Sequence, residues 1–506
     1  MSTILGIDLG TQSLKVVFYD FEARETVAVH SAPLDLHQHD NGVAEQRAEW
    51  WLNALQQALR QASKKVRQSV VAIGVSGQQH GFVPLNRAGQ VLTPVKLWCD
   101  TSTRRECDAV MRAAGGFDAC IAGAGNPILP GYTASKIRWF RDAHPDLYAR
   151  MDKILLPHDY VNFYLTGEAC MEAGDASGTG FLDIRTRKWS ELMLAAIDPE
   201  RDLRACLPEV QTANKPIGTL LASVADELSL PPGVPVSAGG GDNMMGAIGT
   251  GNVIPGVLTV SLGTSGTLYA HSDVPVIDPT GSIAAFCSST GGWLPLLCTM
   301  NCTISTELIR RLVATDSREF ESQINAAPPG SKGVMTLPFF NGERTPNLPN
   351  AKGVVLGLDG RNTEPANVLR SAVEGATYAL RFGLDRLQEL GISSNKIVLT
   401  GGGANSATWR QVVADVFNMS VTVLQQQEGA AFGAALQALA ALNGRQTDMP
   451  TLVSEHIERD VQRCCDPRPA MVDIYNEGYN AYSQAVETIS ALYTTPTQKN
   501  RRGSSQ

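Results

Sequence analysis

The stretch Gly239-Gly240-Gly241-Asp242-Asn243 joins two segments of different kind. The apolar, proline-bearing run Gly233-Val-Pro-Val-Ser-Ala238 enters it and reads as a buried strand. The small-residue segment Met244-Met-Gly-Ala-Ile-Gly249 leaves it and reads as a tightly packed helix. One carboxylate therefore stands where a strand ends and a helix begins, which in open α/β sheets is where ligands bind. The three preceding glycines let a substrate come close to the backbone. The competing reading is that Asp242 only caps its helix, a role that Asp favours.

Working outward, the same pattern recurs. Residues 3–19 read as two strands around the turn Asp8-Leu-Gly-Thr-Gln-Ser13, a hairpin signal. Trp51, Ala54, Leu55, Ala58 and Leu59 follow at helical spacing. Val70-Val-Ala-Ile-Gly-Val75 is an apolar strand that ends in Ser76-Gly-Gln-Gln-His-Gly81. Beyond Asp242, Gly256-Val-Leu-Thr-Val-Ser-Leu-Gly-Thr264 again meets a Gly/Thr/Ser turn, and Lys396-Ile-Val-Leu-Thr400 runs into Gly401-Gly-Gly-Ala-Asn405. Three matches fall in the same order: Asp8-Leu-Gly-Thr11 with Ser261-Leu-Gly-Thr264, the strand before Gly77 with the strand before Gly401, and Val236–Ala247 with Val423–Ala434. The order argues for two copies of one architecture. The acid breaks the symmetry, because Asp242 falls opposite Gly429. Two similar domains with one odd carboxylate predict a single site in a cleft between them.

Composition excludes several classes. The chain has 506 residues, 43% hydrophobic and 18% charged, with a net charge of −8. That is an ordinary globular balance without the basic footprint of a nucleic-acid binder. The N-terminus shows no secretory signal, and no run reaches the roughly 18 apolar residues of a membrane helix. Ten scattered cysteines read as reduced thiols in a cytoplasmic protein. Cys298 and Cys302 lack a second ligand pair at metal-binding spacing.

The polar residues then suggest a chemistry. A Gly-Thr turn with neighbouring hydroxyls, one per half, suits phosphate, and Asp8 is placed to hold Mg²⁺ beside phosphate oxygens. No P-loop pattern stands at a strand–helix junction, and Gly401–Gly403 lacks the dinucleotide spacing. Gln78, Gln79 and His80 cluster at a strand end and supply donors and acceptors for a polyol, with Trp98 and Asp100 near in sequence. Trp98 reads either as a platform for a sugar face or as core. Asp242 would orient an attacking hydroxyl and accept its proton. Arg344, in the polar turn Gly342-Glu-Arg-Thr-Pro346, is open to a structural or an organising role. The tail from Thr494 reads as disordered.

Taken together, Asp8-Leu-Gly-Thr-Gln-Ser, Gly77-Gln-Gln-His-Gly, Leu97-Trp-Cys-Asp, Gly125-Asn-Pro-Ile-Leu-Pro-Gly-Tyr-Thr-Ala-Ser-Lys136, Gly239-Gly-Gly-Asp-Asn, Ser261-Leu-Gly-Thr-Ser-Gly, Gly342-Glu-Arg-Thr-Pro and Gly401-Gly-Gly-Ala resemble the FGGY carbohydrate kinases, from residue 3 to about residue 443. The resemblance implies an α/β protein of two ribonuclease-H-like, actin-type ATPase domains around a central cleft. The expected division is 1–250 on the sugar side, 251–445 on the nucleotide side and a 446–506 extension. It implies ATP and Mg²⁺ as cofactors and a terminal sugar or polyol hydroxyl as acceptor. D-xylulose is the first expectation; ribulose, another ketose or a polyol are its rivals. By motif match, Asp242 is the catalytic base and Asp8 the magnesium-side acid. Thr11, Gln12 and Thr264 fall near the phosphates, and Gly402 and Gly403 near the nucleoside. Gln79, His80, Asp242 and Asn243 line the sugar site. Sugar kinases of the family often carry Met where Gln79 stands and Asn where Cys99 stands, so the acceptor is less fixed than the reaction. A rival of another class is a sugar-independent ATPase switch of the same fold. The partners expected are the sugar and ATP, without nucleic acid or membrane; a homodimer is left open.

Overall fold

The computed structural model describes residues 1–39, 41–211, 215–426, 428–444 and 448–493. The tail from Thr494 lies outside the described residues. Two compact units form. The first holds Met1–Pro255, His271–Pro295 and Gln426–Glu458; the second holds Gly256–Ala270, Leu296–Gln425 and Arg459–Gln506. Continuous stretches were expected; the units are instead discontinuous, because the chain leaves each and returns. Among the described residues no helix is long and apolar enough to cross a membrane.

The first unit is built on the strands β1 (Thr3–Leu9), β2 (Ser13–Asp20), β3 (Glu25–Pro33), β4 (Val70–Gly77), β5 (Pro216–Thr219), β6 (Pro235–Ser237) and β7 (Gly240–Gly241). They lie in the order β5-β6-β4-β1-β2-β3, with β7 also paired to β4. β1 runs antiparallel to β2 and parallel to β4, and β6 and β7 run parallel to β4.

β1 carries Ile4, Leu5, Ile7 and Leu9 because both of its faces are covered along most of its length. Side chains alternate across a strand. Leu5, Ile7 and Leu9 share a core with Trp51, Leu55 and Leu59 of the helix Ala48–Gln61. Gly6 takes the opposite face and is paired with Gly74 of β4. A Cβ at Gly6 would strike the Ala431 carbonyl, and one at Gly74 the Ala434 carbonyl. The helix Gly429–Asn443 therefore lies directly on the two central strands, and only glycine leaves it room. The same helix meets the helix Asp242–Gly249 backbone to backbone: Cβ atoms at Gly433 and Gly249 would collide with the carbonyls of Met245 and Gly429. This packing draws residues 426–458 into the first unit. Residues 271–295 are held there by Asn126, whose Nδ2 donates to Ala285 O and whose Oδ1 accepts from Ala285 N, both at 2.8 Å. A second core beside the sheet joins Phe140, Phe181, Ile184 and Met193.

The second unit repeats the scheme. β8 (Gly256–Leu262), β9 (Gly266–Ala270), β10 (Leu296–Thr299), β11 (Ser394–Thr400) and β12 (Ser420–Thr422) lie in the order β10-β9-β8-β11-β12. β8 is antiparallel to β9 and parallel to β11, as β1 is to β2 and β4. Both sheets thus share the order third-second-first-fourth strand, and the two units are copies of one architecture, as the internal repeat predicted. Ser261 stands opposite Thr400 on β11, as Asp8 stands opposite Ser76 on β4. The helix Pro469–Tyr493, left unassigned by sequence, belongs to this unit. Its Tyr475 hydroxyl accepts from Arg370 Nη2 at 2.8 Å and donates to Glu374 Oε1 at 3.1 Å.

Candidate active site

In the first unit, three parallel strands end together. Asp8 of β1 lies opposite Ser76 of β4, and Ser76 lies opposite Gly240 of β7. Asp242 follows two residues later as the first residue of its helix, with Gly241 in the N-cap position. The helix-cap role thus falls to Gly241. The Asp242 Oδ1 instead accepts from the adjacent Asn243, at 2.8 Å from its N–H and 3.0 Å from Nδ2. Oδ2 has no protein donor among the described residues. Asn243 Nδ2 also donates to Gln79 Oε1 at 2.9 Å, and Gln79 Nε2 reaches Met244 Sδ at 3.3 Å. Gln79, Asp242 and Asn243, separated by more than 160 residues in sequence, thus form one hydrogen-bonded group.

Electrostatics set Asp242 apart. Burial, and then the nearby charge of Asp8, push its carboxyl up to about 7; the bonds from Asn243 pull the other way. Part of its surface stays open, so it is enclosed by protein yet accessible. Asp8 is also raised by burial, while a 2.8 Å bond from Ser76 Oγ to its Oδ1 opposes the shift. Lys15, opposite Asp8 on β2, is ion-paired to Glu428 at 2.6 Å.

His80 is buried beside this group with φ 63°, a left-handed backbone that His adopts more readily than most residues. Its carbonyl is fixed by Lys136 Nζ at 2.7 Å and Thr133 Oγ1 at 3.1 Å. Its ring packs against Tyr132 and Phe286, with centroids 5.1 and 5.6 Å away. Burial lowers the Lys136 ammonium to about 7.

Other members of the sequence cluster serve the scaffold. Gln78 is buried and points to the β1–β2 turn: its Oε1 accepts from Thr11 Oγ1 at 3.2 Å, and its Nε2 donates to Gln46 Oε1 at 2.8 Å. Trp98 Nε1 donates to the same Thr11 hydroxyl at 2.9 Å. Asp100 is buried and bonded to Lys96 Nζ, the Ala44 N–H and Ser102. The polyol reading of Gln78 is therefore corrected, and Asp100 serves the scaffold beside it. Adjacent positions leaving a strand point different ways, which residue type alone does not reveal.

The sequence reading missed the layer behind Asp242. His158 is fully buried between Asp175 and Asp159, each 2.9 Å from one ring nitrogen. Burial opposes charge on this imidazole, but the two carboxylates prevail and hold its pKa well above the ordinary value. Cβ atoms at Gly77 and Gly239 would meet His158. Burial pushes Glu172 up to about 7, and its carboxylate lies against Gly240. A buried imidazole flanked by two acids carries no sequence spacing that marks it beforehand.

The second unit places the other predicted residues. The exposed Thr264 lies in the β8–β9 turn, and its carbonyl accepts from Cys302 N at 3.0 Å. Gly402 and Gly403 line a hollow of about 370 Å³ with Thr306, Glu307, Arg310 and Trp409. Among the described residues nothing occupies the space where a Gly402 Cβ would lie. Arg310 clasps Glu307 through two bonds of 2.7 Å at this hollow. In the Gly342–Pro346 turn the organising residue is Glu343, which accepts from Met300 N at 2.6 Å and Asn301 Nδ2 at 3.1 Å. No cluster of His, Cys, Asp or Glu among the described residues forms a ready metal cage.

Residues 3–249 match the N-terminal domain, and residues 258–442 the C-terminal domain, of the FGGY family of carbohydrate kinases. The chain belongs to this family. It is a carbohydrate kinase with the family's two-domain, actin-like α/β fold, and kinases of this family use ATP. It is 43% identical over 97% of its length to a xylulose kinase of Haemophilus influenzae, all of which is covered. A crystal structure of a xyloylose kinase from Brucella ovis superposes with a TM-score of 0.88 at 32% identity, covering 97% of this chain and 100% of that one. A gluconate kinase from Lactobacillus acidophilus matches with a TM-score of 0.90 at 24% identity, over 97% and 99% of the two chains. That last likeness shows the fold alone, since one fold hosts many acceptors.

Proposed function

We propose that this FGGY kinase transfers the γ-phosphoryl group of ATP to D-xylulose, giving ADP and D-xylulose 5-phosphate, with Asp242 as the base. The observation that carries the mechanism is the Asp242 carboxylate. It stands at the ends of parallel strands with Oδ1 held by Asn243 and Oδ2 without a protein donor among the described residues. The identity to a xylulose kinase supports the acceptor.

In the transfer, Oδ2 takes the proton of the acceptor's terminal hydroxyl as its oxygen bonds to the γ-phosphorus. The bond from that phosphorus to the bridging oxygen breaks, and ADP leaves with the electron pair. Gln79, His80 and Asn243 hold the sugar. Thr264, Gly402 and Gly403 serve the nucleotide, and Gln12 reaches the phosphates from the β1–β2 turn. Thr11 has its hydroxyl engaged by Trp98 and Gln78, so its contribution is to shape that turn.

Mg²⁺ fits the donor set at Asp8, a half-buried carboxylate with one oxygen taken by Ser76 and one open. Such an ion binds through one or two carboxylates plus phosphate oxygens, and it would neutralise phosphate charge.

The test is ADP release measured with D-xylulose, ribulose, gluconate and glycerol. D-xylulose is expected to give the highest kcat/KM, and Asp242→Ala to abolish turnover while a fluorescent ATP analogue still binds. No turnover of D-xylulose, or ATP hydrolysis indifferent to every sugar, would refute the reading.

A further inference from the structure

The helix Gly429–Asn443 is apolar along its buried length except at one position. Gln437 is fully buried, within the run Ala434-Ala-Leu-Gln-Ala-Leu439. A buried amide without partners is costly, so the choice of partners is informative. Its Oε1 accepts from the Gly239 N–H at 2.7 Å and from Ser237 Oγ at 2.9 Å. Its Nε2 donates to the Gly239 carbonyl at 2.9 Å. One side chain thus satisfies both polar backbone groups of Gly239, three residues before Asp242.

Gly239 needs such support. Its φ is 70°, and a Cβ there would collide with the Val75 carbonyl. Its neighbour Ala238 is tied by Asn162 Nδ2, which donates to its carbonyl at 2.8 Å. The Asp242 carboxylate has no hydrogen bond to any group outside Asn243 among the described residues, so the path of the backbone places it.

We propose that Gln437 is a positioning residue for phosphoryl transfer: its amide grips Gly239 and thereby fixes where the Asp242 carboxylate meets the acceptor hydroxyl. This rests on Asp242 being the base. A misplacement of about 1 Å in such a group costs on the order of 10²-fold in rate. The segment reaches the site only through tertiary packing, since it follows the second unit's sheet in sequence.

The test compares Gln437→Met, which keeps the volume and loses the bonds, with wild type on whichever sugar turns over fastest. The expected result is a fall in kcat of about 10- to 100-fold, with KM for sugar and ATP essentially unchanged. Asp242→Asn is measured alongside, and the double variant is expected to be no slower than Asp242→Asn alone. Wild-type kcat in Gln437→Met with an inactive Asp242→Asn overturns the positioning role and leaves the base intact. An active Asp242→Asn removes both. A loss of kcat in step with raised KM for ATP and a lowered Tm means Gln437 is structural only, and also overturns the proposal. If Gln437→Met does not fold, Ser237→Ala decides, since it removes one of the three bonds. A lower kcat at unchanged KM supports the role, and an unchanged kcat overturns it.

Discussion

Asp242 has an ordinary carboxylate's task and an unusual carboxylate's environment. In the proposed transfer it must be ionised to act as the base, and burial together with Asp8 holds it near 7. A raised pKa means that the ionised fraction falls as pH drops through it. kcat/KM for the sugar is therefore expected to decline about tenfold per unit on the acid side of about pH 7. A profile from pH 5.5 to 8.5 checks this; a plateau extending below pH 5 would return the carboxyl to its ordinary range. Because the charge of Asp8 contributes to the shift, Asp8→Asn is expected to move the acid limb to lower pH while weakening magnesium-dependent turnover. At this scale the sequence exposed Asp8 and Asp242 through their position beside glycine turns. Residue type alone grouped Gln79, which joins Asn243, with Gln78, which braces Thr11, and only the family resemblance singled out Gln79. Both are buried glutamines in adjacent positions, and the backbone direction after β4 gives them different partners.

The helix Gly429–Asn443 meets its neighbouring strands and helix at glycine. Gly433 of the helix Gly429–Asn443 faces the Met245 carbonyl of the helix Asp242–Gly249, with no space for a methyl group. Gly433→Ala is expected to destabilise the first unit by about 1–3 kcal/mol or more, as overpacking does, measured by denaturant unfolding. The cost also falls on the helix that carries Asp242, so activity is expected to fall with stability. The helix Pro469–Tyr493 packs its tyrosines on Tyr378 and adds buried polar contacts. Tyr475→Phe leaves the buried Arg370 guanidinium and Glu374 one partner short, and is expected to cost about 1–3 kcal/mol. Unfolding followed by urea checks it; an unchanged midpoint would mean the hydroxyl is replaced by water. The repeat was legible in sequence at this scale, because strand endings in glycine recur in order. The layer formed by His158, Asp159 and Asp175 was not, because its pairing is made by packing rather than by spacing.

At the scale of the molecule, the first unit is completed by residues that come after the second unit's sheet. A fragment of residues 1–255 lacks the helix that covers Gly6 and Gly74, and so exposes the middle of its sheet. It is expected to be insoluble or to unfold without a cooperative transition, judged by solubility and near-ultraviolet circular dichroism. A soluble, cooperatively unfolding fragment would show that the helix is dispensable. The amino-acid sequence by itself determined the class of fold, the doubling of the architecture and the carboxylates beside its turns. Alternating strands, glycine bends and residue chemistry are local, and survive being read in one dimension. Tertiary structure alone decided that residues 426–458 return to the first sheet and that Gln437 grips Gly239. It also decided that Thr11 donates to Gln78, with Gln46 and Trp98 completing the same network. Those outcomes depend on which surfaces fit at atomic distance, between partners 67 residues apart for Thr11 and Gln78 and 198 apart for Gly239 and Gln437.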